Sequence, residues 1–238
     1  YSRWKDLAVT RWHEDSTCDN RGSFCFIRDV TTGAFWSTAY QPTLKASRQY
    51  EAIFSEGRAE FRRRDKDFDT HLEIAVSPED DIELRRITIT NRARTGRTIE
   101  VTSYEEVVLT QPAQDALHPA FSNLFVQTEI NREQRAILCT RRPRSLEEQA
   151  PWMFHLMAVH GAETGEASFE TDRMRFIGRG NTLEGPEAMR GSSGLSGSEG
   201  SVLDPIAAIR HQITLGPEKS VTVIIVTGMA ENRDACMD

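Results

Sequence analysis

The stretch from Ile82 to Leu109, IELRRITITNRARTGRTIEVTSYEEVVL, constrains this chain most, because it holds two runs of alternating apolar residues separated by a polar turn. Such a pattern reads as a β-hairpin. In the first run Ile82 and Leu84 share one phase while Ile87 and Ile89 share the other, so burying all four on one face predicts a bulge near Arg85 and Arg86. In the second run Ile99, Val101, Ser103, Glu105, Val107 and Leu109 fall on one face, which sets a carboxylate in line with four aliphatic side chains. Buried charges are normally paired. Glu105 is therefore either a glutamate near a sheet end, reaching water or an arginine, or a carboxylate aimed into a sugar-sized cleft.

A chain of 238 residues with 38% hydrophobic content can bury a full core, and all-β sandwiches of this size often form one domain. The net charge of −7 argues against a general nucleic-acid binder. Of the 29 basic residues only Lys5, Lys45, Lys66 and Lys219 are lysine, leaving 25 arginines suited to bidentate contacts with carboxylates, phosphates and sugar hydroxyls. Cys18, Cys25, Cys139 and Cys236 show no C-x-x-C spacing, which argues against structural zinc. With no secretory leader and no apolar run near the roughly 18 to 20 residues that span a bilayer, the expectation is a soluble piece in a reducing compartment. Its start at Tyr1 and stop at Asp238 read as cuts from a longer parent.

The first forty residues carry three of the four tryptophans among Arg, Asp and Glu. Here SFCFIRDV reads as a strand, Thr31, Thr32 and Gly33 as a turn, and AFWSTAY as the returning partner, with Phe24, Phe26 and Phe35 as core. Trp12 and Trp36 sit beside Arg11, Asp15, Asp19, Arg28 and Asp29. An indole face can stack on the C–H face of a pyranose while such charged groups bond its hydroxyls, so this cluster is the candidate sugar-binding surface; the plainer alternative is that the rings are core.

From Tyr50 onward YEAIF, AEFRRR and FDTHLEIAV read as a meander leading into the organising stretch, with His71 on a solvated face. QPAQDALHPAFSN breaks the meander as a loop, in which His118, followed later by Arg141, Arg142 and Arg144, offers anion or sugar contacts or is merely solvated. Strands resume at NLFVQTEI, RAILCTR and WMFHLMAVH, where a metal-ligand reading of His155 is weak because no second histidine shares its face. NTLEGPEAMRGSSGLSGSEGSVLDP reads as a long flexible surface loop and lacks the pattern of a phosphate cradle. IAAIRHQITL and SVTVIIVTGMA read as a last antiparallel pair, and AENRDACMD as the opening of a helix. Fourteen or more short strands favour an all-β, antiparallel two-sheet sandwich. Neither a Ser-His-Asp grouping nor a metal cluster emerges from the pattern.

The phrases YSRWKDLAVTRWHEDSTCDNRGSFCFIRDVTTGAFWSTAYQP, HPAFSNLFVQTEI, CTRRPRS, FIGRGNTLEGP and LSGSEGSVLDPIAAIRHQITL resemble the phosphorylase-related portion of cyclic β-1,2-glucan synthases, a glycoside hydrolase family 94-like group similar to cellobiose and chitobiose phosphorylases. The resemblance covers essentially the whole chain, though not the N–G–x–Y segment and Gly-rich phrase that the family carries before the equivalent of Tyr1. It implies a galactose-mutarotase-like supersandwich over residues 1–230, and at 231–238 the start of a linker helix to a catalytic (α/α)6 barrel.

On that reading the chain has no catalytic residue, no metal and no cofactor, inorganic phosphate being a co-substrate only of the parent. Its partners would be a β-glucan oligosaccharide, the barrel of its own parent and a second copy in a homodimer, with no nucleic acid and no membrane insertion. It would be cytoplasmic, as the soluble part of a bacterial inner-membrane protein. Two alternatives compete: a purely structural spacer, and a free-standing mutarotase-like sugar epimerase, which needs a histidine and a glutamate poised across a ring oxygen. His71, His118, His155 and Glu105 supply the types, but nothing in their spacing brings them together.

Overall fold

A computed structural model describes residues 1–15, 17–143, 145, 150–191 and 193–237. β1 (Arg3–Trp4), β2 (Leu7–Thr10), β3 (Ser23–Asp29) and β4 (Phe35–Ser37) open the chain. β5 (Gln49–Ser55), β6 (Arg58–Asp65), β7 (Phe68–Val76) and β8 (Ile82–Asn91) form the expected meander. β9 (Arg97–Thr110) is followed by two short helices, α1 (Pro112–Leu117) and α2 (Pro119–Asn123), where a loop was expected. Each begins with proline, whose fixed φ and missing N–H suit a first helical position. β10 (Val126–Asn131), β11 (Ala136–Arg141), β12 (Trp152–His160) and β13 (Ser168–Asp172) lead to α3 (Arg173–Ile177), and β14 (Pro205–Leu215) and β15 (Ser220–Ala230) follow. The last described residues form a 3-10 turn at Asp234–Cys236.

The strands build two antiparallel sheets, as an all-β supersandwich requires. An eight-stranded sheet runs β10-β11-β12-β15-β8-β7-β6-β5, and a seven-stranded one runs β1-β2-β9-β14-β13 with β4 pairing β3 and β3 pairing β9. β3 and β2 share one edge of β9, the first along Ile99 to Glu105 and the second near Val107 and Thr110. The β3–β4 pair forms as expected around the 31–33 turn.

The organising stretch, however, is not a hairpin. β8 lies in one sheet and β9 in the other, so residues 92–96 form an arch between layers; β14 and β15 are likewise split by a second arch. The arches stack, β8 on β15 and β9 on β14. Alternation reports that one face of a strand is buried, and an arch buries a face as well as a hairpin does. Asn91, fully buried, ties the two together: its side-chain amide donates to the carbonyls of Thr95 (2.9 Å), Leu215 (3.3 Å) and Gly216 (3.0 Å), and its Oδ1 accepts from Ala93 N.

No bulge interrupts β8, whose register with β7 and β15 is continuous. The change of phase is real, and Arg85 takes the inward position that an aliphatic side chain would otherwise fill. Its guanidinium is satisfied there by Glu83 Oε1 (2.7 Å) and the Ser23 carbonyl (2.9 Å). Between the sheets Ile99, Val101, Val107 and Leu109 of β9 pack with Ile87, Ile89, Val221, Val223 and Ile225.

A second cluster lies on the outer face of the seven-stranded sheet, where Phe26, Tyr104, Ile206 and Ala208 meet Phe176, Ile177, Leu183 and Met189. Much of the segment expected as a flexible loop is therefore a packed cover. Arg210 clips it down, donating to the Ser193 and Ala188 carbonyls and to Thr102 Oγ1. All four cysteines are unpaired, and burial pushes the Cys25 thiol up to about 12. Among the described residues no helix is long and apolar enough to cross a membrane.

Replacing Asn91 by Ala leaves buried carbonyls of both arches without a donor, which costs about 3 kcal/mol. In a domain of this size that is a fall in Tm of about 6 to 12 °C by calorimetry. A variant melting within 1 or 2 °C of the parent would show that the arches hold without it.

Candidate carbohydrate-binding cleft

Where β2 runs out into residues 11–21, the chain closes a cleft of about 590 Å3 against α1, lined by Tyr1, Arg11, Trp12, Glu14, Arg21 and Asp115 among others. A neighbouring lobe of about 370 Å3 adds Asp15 and Asp19. The Trp12 and Tyr1 rings lie 5.9 Å apart and are 54% and 53% exposed, so they present a free aromatic surface instead of joining the core. Asp15 accepts from the N–H and the hydroxyl of Thr17, which holds its carboxyl below the usual range.

Beneath this surface the floor is fixed by charge. Arg11 makes a bidentate pair with Asp115 (3.0 and 3.1 Å) and donates to Asn123 Oδ1 (2.7 Å). Asn123 donates in turn to Asp204, which pairs with Arg173, and Arg173 pairs with Glu106 at 3.2 Å. Glu106 also takes the Tyr104 hydroxyl (3.1 Å) and Arg21 (3.3 Å), and Arg11 stands 3.9 Å from it, closing the ring. Burial, reinforced by the neighbouring Glu106, raises the Tyr104 phenol well above its usual value and keeps it a donor. The network was invisible in the sequence because its members come from β9, α1, α2 and α3.

Of the residues expected to meet sugar, Arg11, Trp12, Asp15 and Asp19 gather at this cleft, and five others do not. Trp36 is 4% exposed and packs on Phe68 in the inter-sheet core, ring centroids 5.6 Å apart. Arg28 is buried against Glu100 at 3.1 Å, with Arg210 beyond. Asp29 is buried and closes its own turn, accepting from Thr31 N and Thr32 Oγ1. These three sit on a strand pair covered on both faces, so polar and aromatic neighbours in sequence are separated into different layers. His118 is exposed at the joint of α1 and α2 and does not line the cleft. Arg141 is tied to the Val108 and Ser122 carbonyls, Arg142 is exposed, and Arg144 lies outside the described residues.

Glu105 is the fifth. It points into the inter-sheet space, where it ends a line of hydrogen bonds. Ile209 N donates to Ser103 Oγ (3.0 Å), Ser103 Oγ bonds His155 Nε2 (2.8 Å), His155 Nδ1 bonds Thr227 Oγ1 (2.9 Å), and the Thr227 hydroxyl reaches the Glu105 carboxylate (2.8 Å). Burial opposes the Glu105 charge, but His155, Arg85 and Thr227 outweigh it and hold the carboxyl below its usual value.

A serine, a histidine and a carboxylate in line resemble a catalytic triad. Yet Ser103, His155 and Glu105 are 1%, 0% and 2% exposed, so no ring can reach them and the line acts as a tie between sheets. His71 is also not simply solvated: it bonds Glu60 at 2.8 Å, and with Glu73 these groups lie within 4.8 Å of one another. Arg58, Arg62 and Arg86 already pair with both carboxylates, which makes the group an ion-pair lattice.

With this geometry in view, the whole chain, residues 1–238, matches the glycosyl hydrolase 94 supersandwich domain and belongs to that family. It is similar to the cyclic beta-(1,2)-glucan synthase NdvB of Rhizobium meliloti (strain 1021), 36% identical over 98% of this chain and 8% of that protein. It is also similar to solabiose phosphorylase of Paenibacillus borealis (24% identical, 90% of this chain, 27% of the relative). N,N'-diacetylchitobiose phosphorylase of Vibrio furnissii is comparable (23% identical, 94% and 27%). The chain thus spans less than a third of each of these relatives.

Because the folded pKa of Glu105 is depressed from 4.5, its stabilisation is present above that pH and lost as pH falls through the folded value. Glu105→Gln should therefore cost about 2 kcal/mol at pH 7, as for a hydrogen bond to a charged group. The gap to the parent should stay constant down to about pH 5 and close below it in urea titrations. A gap that widens in acid would contradict this assignment.

Proposed function

We propose that this chain is a non-catalytic carbohydrate-binding and dimer-forming domain of a longer enzyme acting on β-linked glucan, a cyclic β-1,2-glucan synthase or a related glycoside phosphorylase. The observation that carries the reading is the exposed Tyr1–Trp12 ring pair at the mouth of a charge-lined cleft. The indole supplies the apolar platform for one pyranose face, and Arg21, Glu14 and Asp15 supply groups for its hydroxyl rim. Arg11 is already held by Asp115 and Asn123, so little side-chain entropy is lost when sugar arrives. Catalysis, and any use of inorganic phosphate, belongs to the parts of the enzyme beyond this chain. No observation favours a free-standing mutarotase, since the buried Glu105–His155 pair is sealed.

Support for pairing with a second copy comes from α1 and α2, where Leu117 and Phe121 are 73% and 63% exposed. Sedimentation should show a dimer that Leu117→Ser with Phe121→Ser converts to monomer. A parent sedimenting only as monomer at high concentration would overturn the pairing. The unpaired cysteines suit a cytoplasmic setting, and disulfides found in cells would contradict it.

An open cleft leaves much of a short glucan hydrated, giving a Kd on the order of 0.1 to 1 mM, or roughly 4 to 5.5 kcal/mol. Trp12→Ala should remove most of this affinity while leaving Tm unchanged, because the ring is exposed. Trp36→Ala should instead cost about 3 to 5 kcal/mol of stability as a core truncation. Calorimetric titration of a β-1,2-glucan oligosaccharide beside thermal melting separates the two, and a Trp12→Ala variant with undiminished affinity would sink the cleft.

A further inference from the structure

The outer face of the eight-stranded sheet carries a second surface with its own chemistry. Strand register sets Glu51, Arg62, His71, Thr88, Thr222 and His160 in one row across β5, β6, β7, β8, β15 and β12. The adjoining row is Gln49, Arg64, Asp69, Thr90 and Ser220. With strands about 4.8 Å apart, five of them span about 19 Å. No apolar side chain interrupts either row, although the neighbouring row on the same face carries Ile53 and Ile224.

Over the β5 to β8 part of these rows the sheet forms a depression of about 440 Å3. Its polar heads are held in place from below and beside. Glu60, 5% exposed, bonds both Arg62 (3.0 Å) and His71 (2.8 Å), while Asp69 binds Arg64 (2.7 Å) and Arg92 (2.7 Å). Arg62 and Arg64 stay 52% and 38% exposed, so they face a ligand already ordered.

The charge balance selects the ligand. Across the two rows Glu51 and Asp69 cancel Arg62 and Arg64, and Arg63, which also lines the depression, is buried against Asp65, so the trough has no free excess with which to hold an anion or a nucleic-acid backbone. Among its lining residues the aromatic is Tyr50, 45% exposed at the β5 edge, and none is aliphatic, so it lacks the apolar patch that dominates protein interfaces while keeping one ring for a sugar face. What remains is an extended array of fixed donors and acceptors without net charge, which complements a neutral, polyhydroxylated chain. We propose that this trough is a second carbohydrate-binding surface, taking several consecutive sugar units across the strands. It lies on the other sheet from the Tyr1–Trp12 cleft and does not depend on that cleft.

The test is amide-resolved NMR of the Trp12→Ala chain titrated with a linear six-residue β-1,2-glucan, with inorganic phosphate as a parallel titrant. Saturable shifts at Thr88, Thr90 and Thr222 are expected with the glucan. They should weaken at least fivefold in Arg64→Ala with Thr90→Ala, or in Thr88→Ala with Thr222→Ala if the first pair fails to fold. Shifts confined to residues 11–21 and 112–119 of the parent chain would overturn the trough and leave the cleft standing. Equal or stronger shifts with phosphate would also overturn it, by making the site an anion site. Glucan shifts at the trough, with none at the cleft of the parent, would uphold this inference and remove the cleft.

Discussion

The crossing between the two sheets turns on Asn91, whose buried amide donates to carbonyls of both arches. A buried carbonyl left without a donor costs as much as several aliphatic contacts contribute, so this one side chain sets where both crossings occur. With the arches stacked, β9 pairs with β14 and β8 with β15, and β9 is held between facing layers. Its pleat then assigns consecutive residues to different tasks. Glu105 turns inward to Thr227 and His155 on the opposite sheet, while Tyr104 and Glu106 turn outward to the floor of the cleft.

That division explains what could be read from the residues alone. The strands, the meander, the β3–β4 pair and the two-sheet class were legible, because alternation of side chains is a local consequence of pleating. Whether a strand returns beside its predecessor or across from it was not legible, since both outcomes bury one face. Glu105 stood out correctly as anomalous. Its partners were hidden because His155 and Thr227 lie on β12 and β15, far along the chain and in the other sheet. For the cleft, Arg11, Trp12, Asp15 and Asp19 do come together in space, whereas Trp36, Arg28 and Asp29 were drawn in by composition. Proximity in sequence says little about proximity in space when a strand pair is covered on both sides.

The chemistry follows from the same layering. Buried charges along β9 are paired: Glu105 between the sheets with Thr227 and His155, and on the other side of β9 Arg28 with Glu100 and Glu106 with its ring of arginines and tyrosine. Such groups fix geometry. The groups free to meet a ligand sit outside, on the aromatic cleft beside β2 and on the polar rows of the eight-stranded sheet.

The central claim, that glucan is met at the surface and never at the buried Glu105–His155 line, is tested most directly by hydrogen–deuterium exchange of the chain with and without a β-1,2-glucan oligosaccharide. The account predicts added protection over residues 11–21 and 112–119, with peptides spanning 101–107 and 153–157 unchanged. Protection or loosening centred on 101–107 and 153–157, with none around Trp12, would contradict it.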